Sequence, residues 1–244
     1  MGGDPYAWSW NAEALLATPA LTAAYVLALR SYAASAWRIA CFAAAILLLL
    51  AVTITPLETI ALEYLLSIHL LQNVVLAEWA PALVVLAIPP ALAATLPRVP
   101  AVPALLLWVA NYGVWHLPWL YDTALRHPHT LLHLEHALYF ATGLLLWWPV
   151  VHGPHSPGFK AGYLFAAFAL ASPIGLLLAL IPEPVYEFYL DAPKELWGLE
   201  PLVDQQIAGV TMSLEQAFVF FAGFALFFAR FLKEQDAAED KLPT

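Results

Sequence analysis

From residue 13 to residue 232 the sequence alternates long apolar runs with short breaks rich in proline. Runs of this kind are long enough to cross a bilayer as helices, which takes about 20 residues each. Seven are predicted, over roughly 13–30, 36–54, 60–88, 100–117, 130–151, 159–181 and 203–232. Pro56, Pro89, Pro90, Pro118, Pro128, Pro154, Pro157, Pro182 and Pro184 stand in the gaps, where a missing backbone N–H does no harm. The third run is longer than one crossing needs and contains Pro81, which predicts a kink or a re-entrant continuation. The expected fold is therefore an all-α polytopic membrane protein of seven transmembrane helices. A single domain over 1–244 is expected, with no internal repeat and no separate soluble part.

Composition strengthens this picture. Hydrophobic residues make up 62% of the 244 and charged ones 11%, against roughly 25% charged in a soluble domain. The mean hydropathy is +0.75. The formal charge of −9 comes from acids gathered in a few loops and in the terminal "KEQDAAEDK", and no basic patch suited to nucleic acid is present. The one cysteine, Cys41, lies inside an apolar run, so neither a disulfide framework nor a CxxC site is expected. Met1 and Met212 are the only methionines, which excludes a methionine-rich copper(I) relay. The stretch "MGGDPYAWSWNAEALL" has no positively charged region, so no cleavable signal is expected.

Lysine and arginine set the expected orientation. With the N-terminus outside and the C-terminus cytoplasmic, Arg30, Arg38, Arg98, Lys160, Arg230, Lys233 and Lys241 fall inside, and only Arg126 and Lys194 outside. Tryptophans such as Trp8, Trp10, Trp119 and Trp197 then lie near the membrane interfaces.

An ionisable group within a span costs a few kcal/mol, so each one calls for a reason. His69, Gln72 and Asn73 take positions i, i+3 and i+4 and share one helix face. His116 ends "NYGVWHLP", one turn beyond Tyr112. His129, His133 and His136 form a stripe at i, i+4 and i+7 within "HPHTLLHLEH". Asp204, Thr211 and Glu215 share a face of the last span, with Gln205, Met212 and Gln216 beside them. On the expected topology these sets converge on the external half of the membrane. Plainer roles stand beside each: His127 and His129 as a wet collar, His152 and His155 as solvated loop residues, His69 as an interhelical hydrogen-bonding group, and Asp204 as a cap on its own helix. Glu78, nine residues beyond His69 and half a turn round the helix, has no assigned role.

Imidazoles suit copper, zinc, iron and nickel. The nitrogen-rich ligand set read from the residues is His69, His116, His133 and His136, with Met212 as a soft fifth partner. Gln72, Asn73, Glu135, Asp204 and Gln205 are placed to orient those ligands. A bis-histidine haem is the alternative, with His69 opposite His136. No Ser/His/Asp grouping, phosphate loop or HExxH motif is present, and "HLEH" lacks the zinc-protease spacing. Enzymatic activity is not expected.

Three segments carry a family likeness: "SIHLLQNVVLAEWAPALVVLAIPP", "VWHLPWLYDTALRHPHTLLHLEHALYFATGLLLWWPVV" and "DQQIAGVTMSLEQ". In order and spacing they resemble the multi-span CtaG family of cytochrome c oxidase assembly factors, over roughly residues 55–232. The resemblance implies a seven-span protein of the prokaryotic plasma membrane that serves assembly of a haem-copper oxidase. Copper delivery to the catalytic subunit is the expected task, with a metal-free scaffold for oxidase subunit assembly as a further alternative. Lipid and the catalytic subunit are the expected partners, with self-association left open. By the same resemblance His69 and Gln72 match the family's "HMxQ", His116 its "WH", His136 its "LEH", and Asp204, Gln205, Gln206 and Met212 its "DQQ…M". Two positions depart from it: Asn73 stands where many members carry a second histidine, and Glu78 where an apolar residue is usual.

Overall fold

The computed structural model describes residues 4–191 and 196–239; Met1, Lys194 and Lys241 lie outside them. No strand is present among the described residues. The helices are α1 (Ala12–Leu29), α2 (Ala36–Ile54), α3 (Pro56–Glu63), α4 (Leu66–Val74), α5 (Ala80–Ala87), α6 (Pro90–Ala93), α7 (Ala101–Trp115), α8 (Pro118–Arg126), α9 (His133–Val151), α10 (Pro157–Leu180), α11 (Glu187–Leu190) and α12 (Pro201–Glu239). A π turn over Val75–Trp79 joins α4 to α5, and another over Pro128–Leu132 leads into α9. Four stretches are long and apolar enough to cross a membrane: Ala36–Ile54, Leu66–Ala87, Pro157–Leu180 and Pro201–Ala238.

Local chemistry sets the helix starts. Asn11 Oδ1 accepts from Ala14 N–H to cap α1, and Ser156 caps α10 ahead of Pro157. The core is aromatic as well as aliphatic: Trp108, Tyr112, Tyr121, Tyr139, Leu146, Leu164 and Phe220 are fully buried. The outside is apolar instead. Phe218 is 79% exposed and Leu180 77%, an arrangement that suits lipid and not water.

The expected run 60–88 is divided. Leu65 is extended (φ −129°, ψ 122°), so α3 ends before it and α4 begins after it. Hydropathy cannot register this break, because both sides of it are apolar. The irregularity expected at Pro81 is the π turn just before it, where Ala80 N–H bonds Val75 O five residues back. Pro81 has no N–H to give Ala77 O, and Trp108 Nε1 donates to that carbonyl at 3.3 Å instead. Gly143 of α9 lies directly over the turn; a Cβ there would stand 2.3 Å from Ala77 O.

Side chains from three elements close the C-terminal end of α5. Its last carbonyls would otherwise be bare. Arg38 Nη1 donates to Leu86 O and Ile88 O, both at 2.6 Å, Tyr25 Oη to Ala87 O at 3.2 Å, and His152 Nε2 to Val85 O at 2.9 Å. His152, expected as a solvated loop residue, is thus a half-buried cap; His155 stacks on Phe159 at 4.4 Å.

Helices α10 and α12 cross closely at Gly175 and Gly209. A Cβ on Gly209 would lie 2.4 Å from Gly175 O and 2.5 Å from Ala179 N, backbone atoms that cannot swing aside. Gly209→Leu is expected to cost roughly 3 kcal/mol or more by overpacking. Thermal unfolding in detergent, followed by circular dichroism, checks this; an unchanged midpoint would contradict the close crossing.

Candidate metal centre

Three histidines from three parts of the chain come together in the bundle. His69 lies one turn into α4, His116 caps the C-terminus of α7, and His136 is in the first turn of α9. Their exposures are 0%, 8% and 2%, so they are effectively dry. The rings of His69 and His136 meet edge to face at 6.4 Å. Tyr121 lies between His69 and His116, its ring 5.2 Å from the first and 6.2 Å from the second.

Hydrogen bonds at Nδ1 bear on the tautomers of His116 and His69. His116 Nδ1 lies 2.8 Å from Tyr112 O, a carbonyl one turn back that its own helix leaves free. A carbonyl only accepts, so His116 carries its proton on Nδ1. His69 reaches the same state by a longer route. Tyr189 gives its single hydroxyl proton to Ala61 O at 2.7 Å, which leaves its oxygen free to accept from His69 Nδ1 at 2.8 Å, and the Tyr121 hydroxyl lies 3.0 Å from the same nitrogen. With the proton on Nδ1 each ring keeps a bare Nε2 lone pair, and neither Nε2 has a hydrogen-bond partner. Leaving a buried acceptor unmet costs about 1–3 kcal/mol. A histidine whose Nδ1 is held by an outer acceptor, leaving Nε2 bare, is the form in which imidazole binds metals.

The surrounding polar residues position these rings. Asp204 of α12 accepts from Leu66 N at 2.6 Å and Ser67 N at 3.2 Å, so it caps α4, the helix carrying His69, and not its own as expected. Gln205 holds the segment before α11: its Oε1 accepts from Val185 N at 2.6 Å and its Nε2 donates to Leu178 O and Glu183 O. Asp122 of α8 accepts from Glu187 N and Phe188 N and so caps α11, which brings Tyr189 to His69. Tyr186 stacks on Tyr121 at 4.1 Å and donates to His116 O. Gln72 bonds Val52 O and the Glu58 carboxylate, and Asn73 donates to Glu135 Oε1 at 3.3 Å.

The residues singled out in the sequence thus separate. His69, His116 and His136 are brought together, with Asn73 and Glu135 on the same helices. His133 is half-buried, its ring 6.2 Å from that of His129. Met212 is buried in the main apolar core. Among the described residues no three or more His, Cys, Asp or Glu side chains stand close enough together to hold a metal ion as they are placed. Tyr121, Tyr189 and Asp122 were missed by sequence reasoning. The "WLYD" block, an acid beside a tyrosine directly after a histidine-bearing helix, was the available signal for two of them.

Beside His136 the bundle is open. A cavity of about 470 Å³ lies between α1, α2 and α9, its wall including Ala17, Leu21, Thr53, Leu76, His136 and Phe140.

No curated protein and no solved structure matches the chain. A family match covers residues 21–234, most of the length and all three histidines, and its description is cytochrome c oxidase caa3 assembly factor (Caa3_CtaG). The chain belongs to this family of oxidase assembly factors.

Proposed function

We propose that the protein holds a copper ion transiently at His69, His116 and His136 and passes it to the catalytic subunit of a haem-copper oxidase. The observation that carries this reading is the pair of bare Nε2 lone pairs on His69 and His116, each left without a hydrogen bond in a dry interior. Neutral imidazoles are good copper ligands, and copper(I) accepts low coordination, so an open arrangement suits cargo in transit better than a stored ion. Gln72 and Asn73 with Glu135 stiffen the helices that carry the rings, and Asp204 and Gln205 hold the ends of those elements. Met212 and His133 have no part in this set.

The cavity beside His136 supplies a way in or out that avoids the packed core. The bundle sits in a prokaryotic plasma membrane as seven spans, N-terminus outside and C-terminus cytoplasmic. The excess of lysine and arginine on the segments that this topology puts inside supports it. The histidine centre then faces the external half, and the exposed apolar belt contacts lipid and the oxidase subunit. The protein acts by binding and transfer, without catalysis.

Anaerobic titration of the detergent-purified protein with copper(I), against a chromophoric copper(I) chelator, tests the proposal. About one copper per chain is expected, a stoichiometry set by one trio of imidazoles. No uptake in competition with a weak chelator would overturn it. The same preparation is expected to be colourless; a Soret band lost on His69→Ala or His136→Ala would replace copper by haem as the ligand.

A further inference from the structure

A second polar cluster lies in the bundle, and the histidine centre does not use it. Glu78, in the π turn, is fully buried, and its Oε1 accepts from Gln216 Nε2 of α12 at 3.0 Å. Glu215, the neighbour of Gln216, accepts from Trp79 Nε1. The two carboxyl groups adjoin within hydrogen-bonding reach of each other, and the Tyr112 hydroxyl adjoins Glu78 and Gln216. Glu78 Oε2, Glu215 Oε2, Gln216 Oε1 and the Tyr112 hydroxyl are all buried without a conventional hydrogen-bond partner. Among the described residues no lysine or arginine pairs with either acid. Three unmet carboxyl and amide oxygens thus face one unspent donor, the Tyr112 hydroxyl, and the cluster is short of donated protons.

Chemistry supplies it. Two adjoining carboxylates without a counter-cation repel each other in a low-dielectric interior, whereas a protonated carboxyl donates to its neighbour. Other titratable groups nearby do not change this. Tyr112 comes from α7, and Tyr139 from α9 meets it edge to face at 5.6 Å. His69 of α4 is bonded to Tyr189, α5 has no titratable residue, and Arg38 of α2 is engaged at the far end of α5. Tyr112 also links the two clusters: its hydroxyl end adjoins Glu78, its ring stacks on His116 at 5.0 Å, and its carbonyl holds His116 Nδ1.

We propose that Glu78 and Glu215 form an acid pair that stores protons inside the bundle and releases one when a monovalent cation enters the histidine centre. The second half of this statement rests on the copper reading above. With the centre empty both carboxyls are protonated and the region is neutral. A copper(I) ion on neutral imidazoles adds one positive charge. One O–H bond of the pair then breaks and its proton leaves to water. The remaining carboxyl–carboxylate pair carries one negative charge, stabilised by Gln216 and Trp79. Total charge within the bundle is unchanged, and nothing is oxidised or reduced. Glu215, the less buried of the two, is the side from which the proton departs.

Two measurements on the full chain in detergent test this. Dicyclohexylcarbodiimide adds to a carboxylic acid only while it carries its proton, and peptide mapping locates the adduct. Labelling at Glu78 or Glu215 of the metal-free protein at neutral pH is expected, and prior loading with copper(I) should suppress it. Copper(I), supplied anaerobically as its acetonitrile complex in weakly buffered solution, is expected to release about one proton per ion, the number that keeps the buried charge constant. In Glu78→Gln/Glu215→Gln that release should vanish. Copper affinity there should fall roughly tenfold, the Coulomb effect of one lost charge a tyrosine length away at an effective dielectric of about 20.

Absence of labelling at both positions overturns the acid pair, whatever the metal does. Copper binding with no proton release, or with release unchanged in the double variant, overturns the exchange while leaving the copper reading intact. Failure of copper to bind at all overturns the copper reading and the exchange together, and labelling at Glu78 or Glu215 would then retain the pair as a proton site alone. Should the double variant not fold, the wild-type labelling and proton count still decide.

Discussion

His69→Ala combined with His116→Ala is expected to abolish copper(I) uptake, while His133→Ala leaves it unchanged. The first two residues own the buried Nε2 lone pairs, and the third stands beside His129. A general loss of fold would also remove binding, so a finer substitution separates the two causes. Tyr189→Phe deletes the oxygen that accepts the His69 Nδ1 proton and leaves the ring in place. The Tyr121 hydroxyl, 3.0 Å from the same nitrogen, then becomes its only partner and can donate to it. That shifts the imidazole proton to Nε2 and blocks the lone pair that would bind metal. Loss of such an outer partner typically weakens metal binding by about 10–100-fold. The expected result is therefore weaker copper binding at unchanged thermal stability, read by chelator competition and circular dichroism. Equal affinity in Tyr189→Phe and wild type would show that the tautomer plays no part.

Asp204→Ala is expected to be the most damaging single change to the fold near the centre. Its carboxylate satisfies two amides at the start of α4. Bonds to a charged acceptor and a lost N-cap together suggest a cost of about 2–4 kcal/mol. Because His69 follows Leu66 by three residues, fraying of this turn also moves the ring, and copper affinity should drop with stability. Asp204→Asn keeps one acceptor oxygen and should lose about half as much, by the same estimate. A stable Asp204→Ala protein with normal copper binding would refute the capping role.

The contrast between these two predictions shows where sequence reading stops. His69, His116 and His136 were legible because an ionisable group in an apolar run is costly and therefore conspicuous. The same reasoning drew in His133, which shares a stripe with His129 and His136 by helical spacing. His133 is half-buried instead, and its ring lies beside that of His129, so that part of the stripe is the wetter end. Asp204 was noticed as a polar residue near a helix start, yet its partners are 138 and 137 positions away in the chain. Glu78 and Glu215 were visible as misplaced acids, but nothing in their spacing said that they would meet.

By itself the sequence determined the composition of a membrane protein, the position of most of its long helices to within a few residues, and the short list of buried polar side chains. Those follow from local properties: the length of apolar runs, proline at the breaks, capping residues at the starts. Tertiary structure alone decided which polar residues meet and in what chemical state. The break at Leu65, the tautomers of His69 and His116, the tyrosines that impose them, and the pairing of Glu78 with Glu215 all depend on contacts between distant segments. Hydropathy and periodicity describe one helix at a time. A lone pair left bare is a property of several helices packed together.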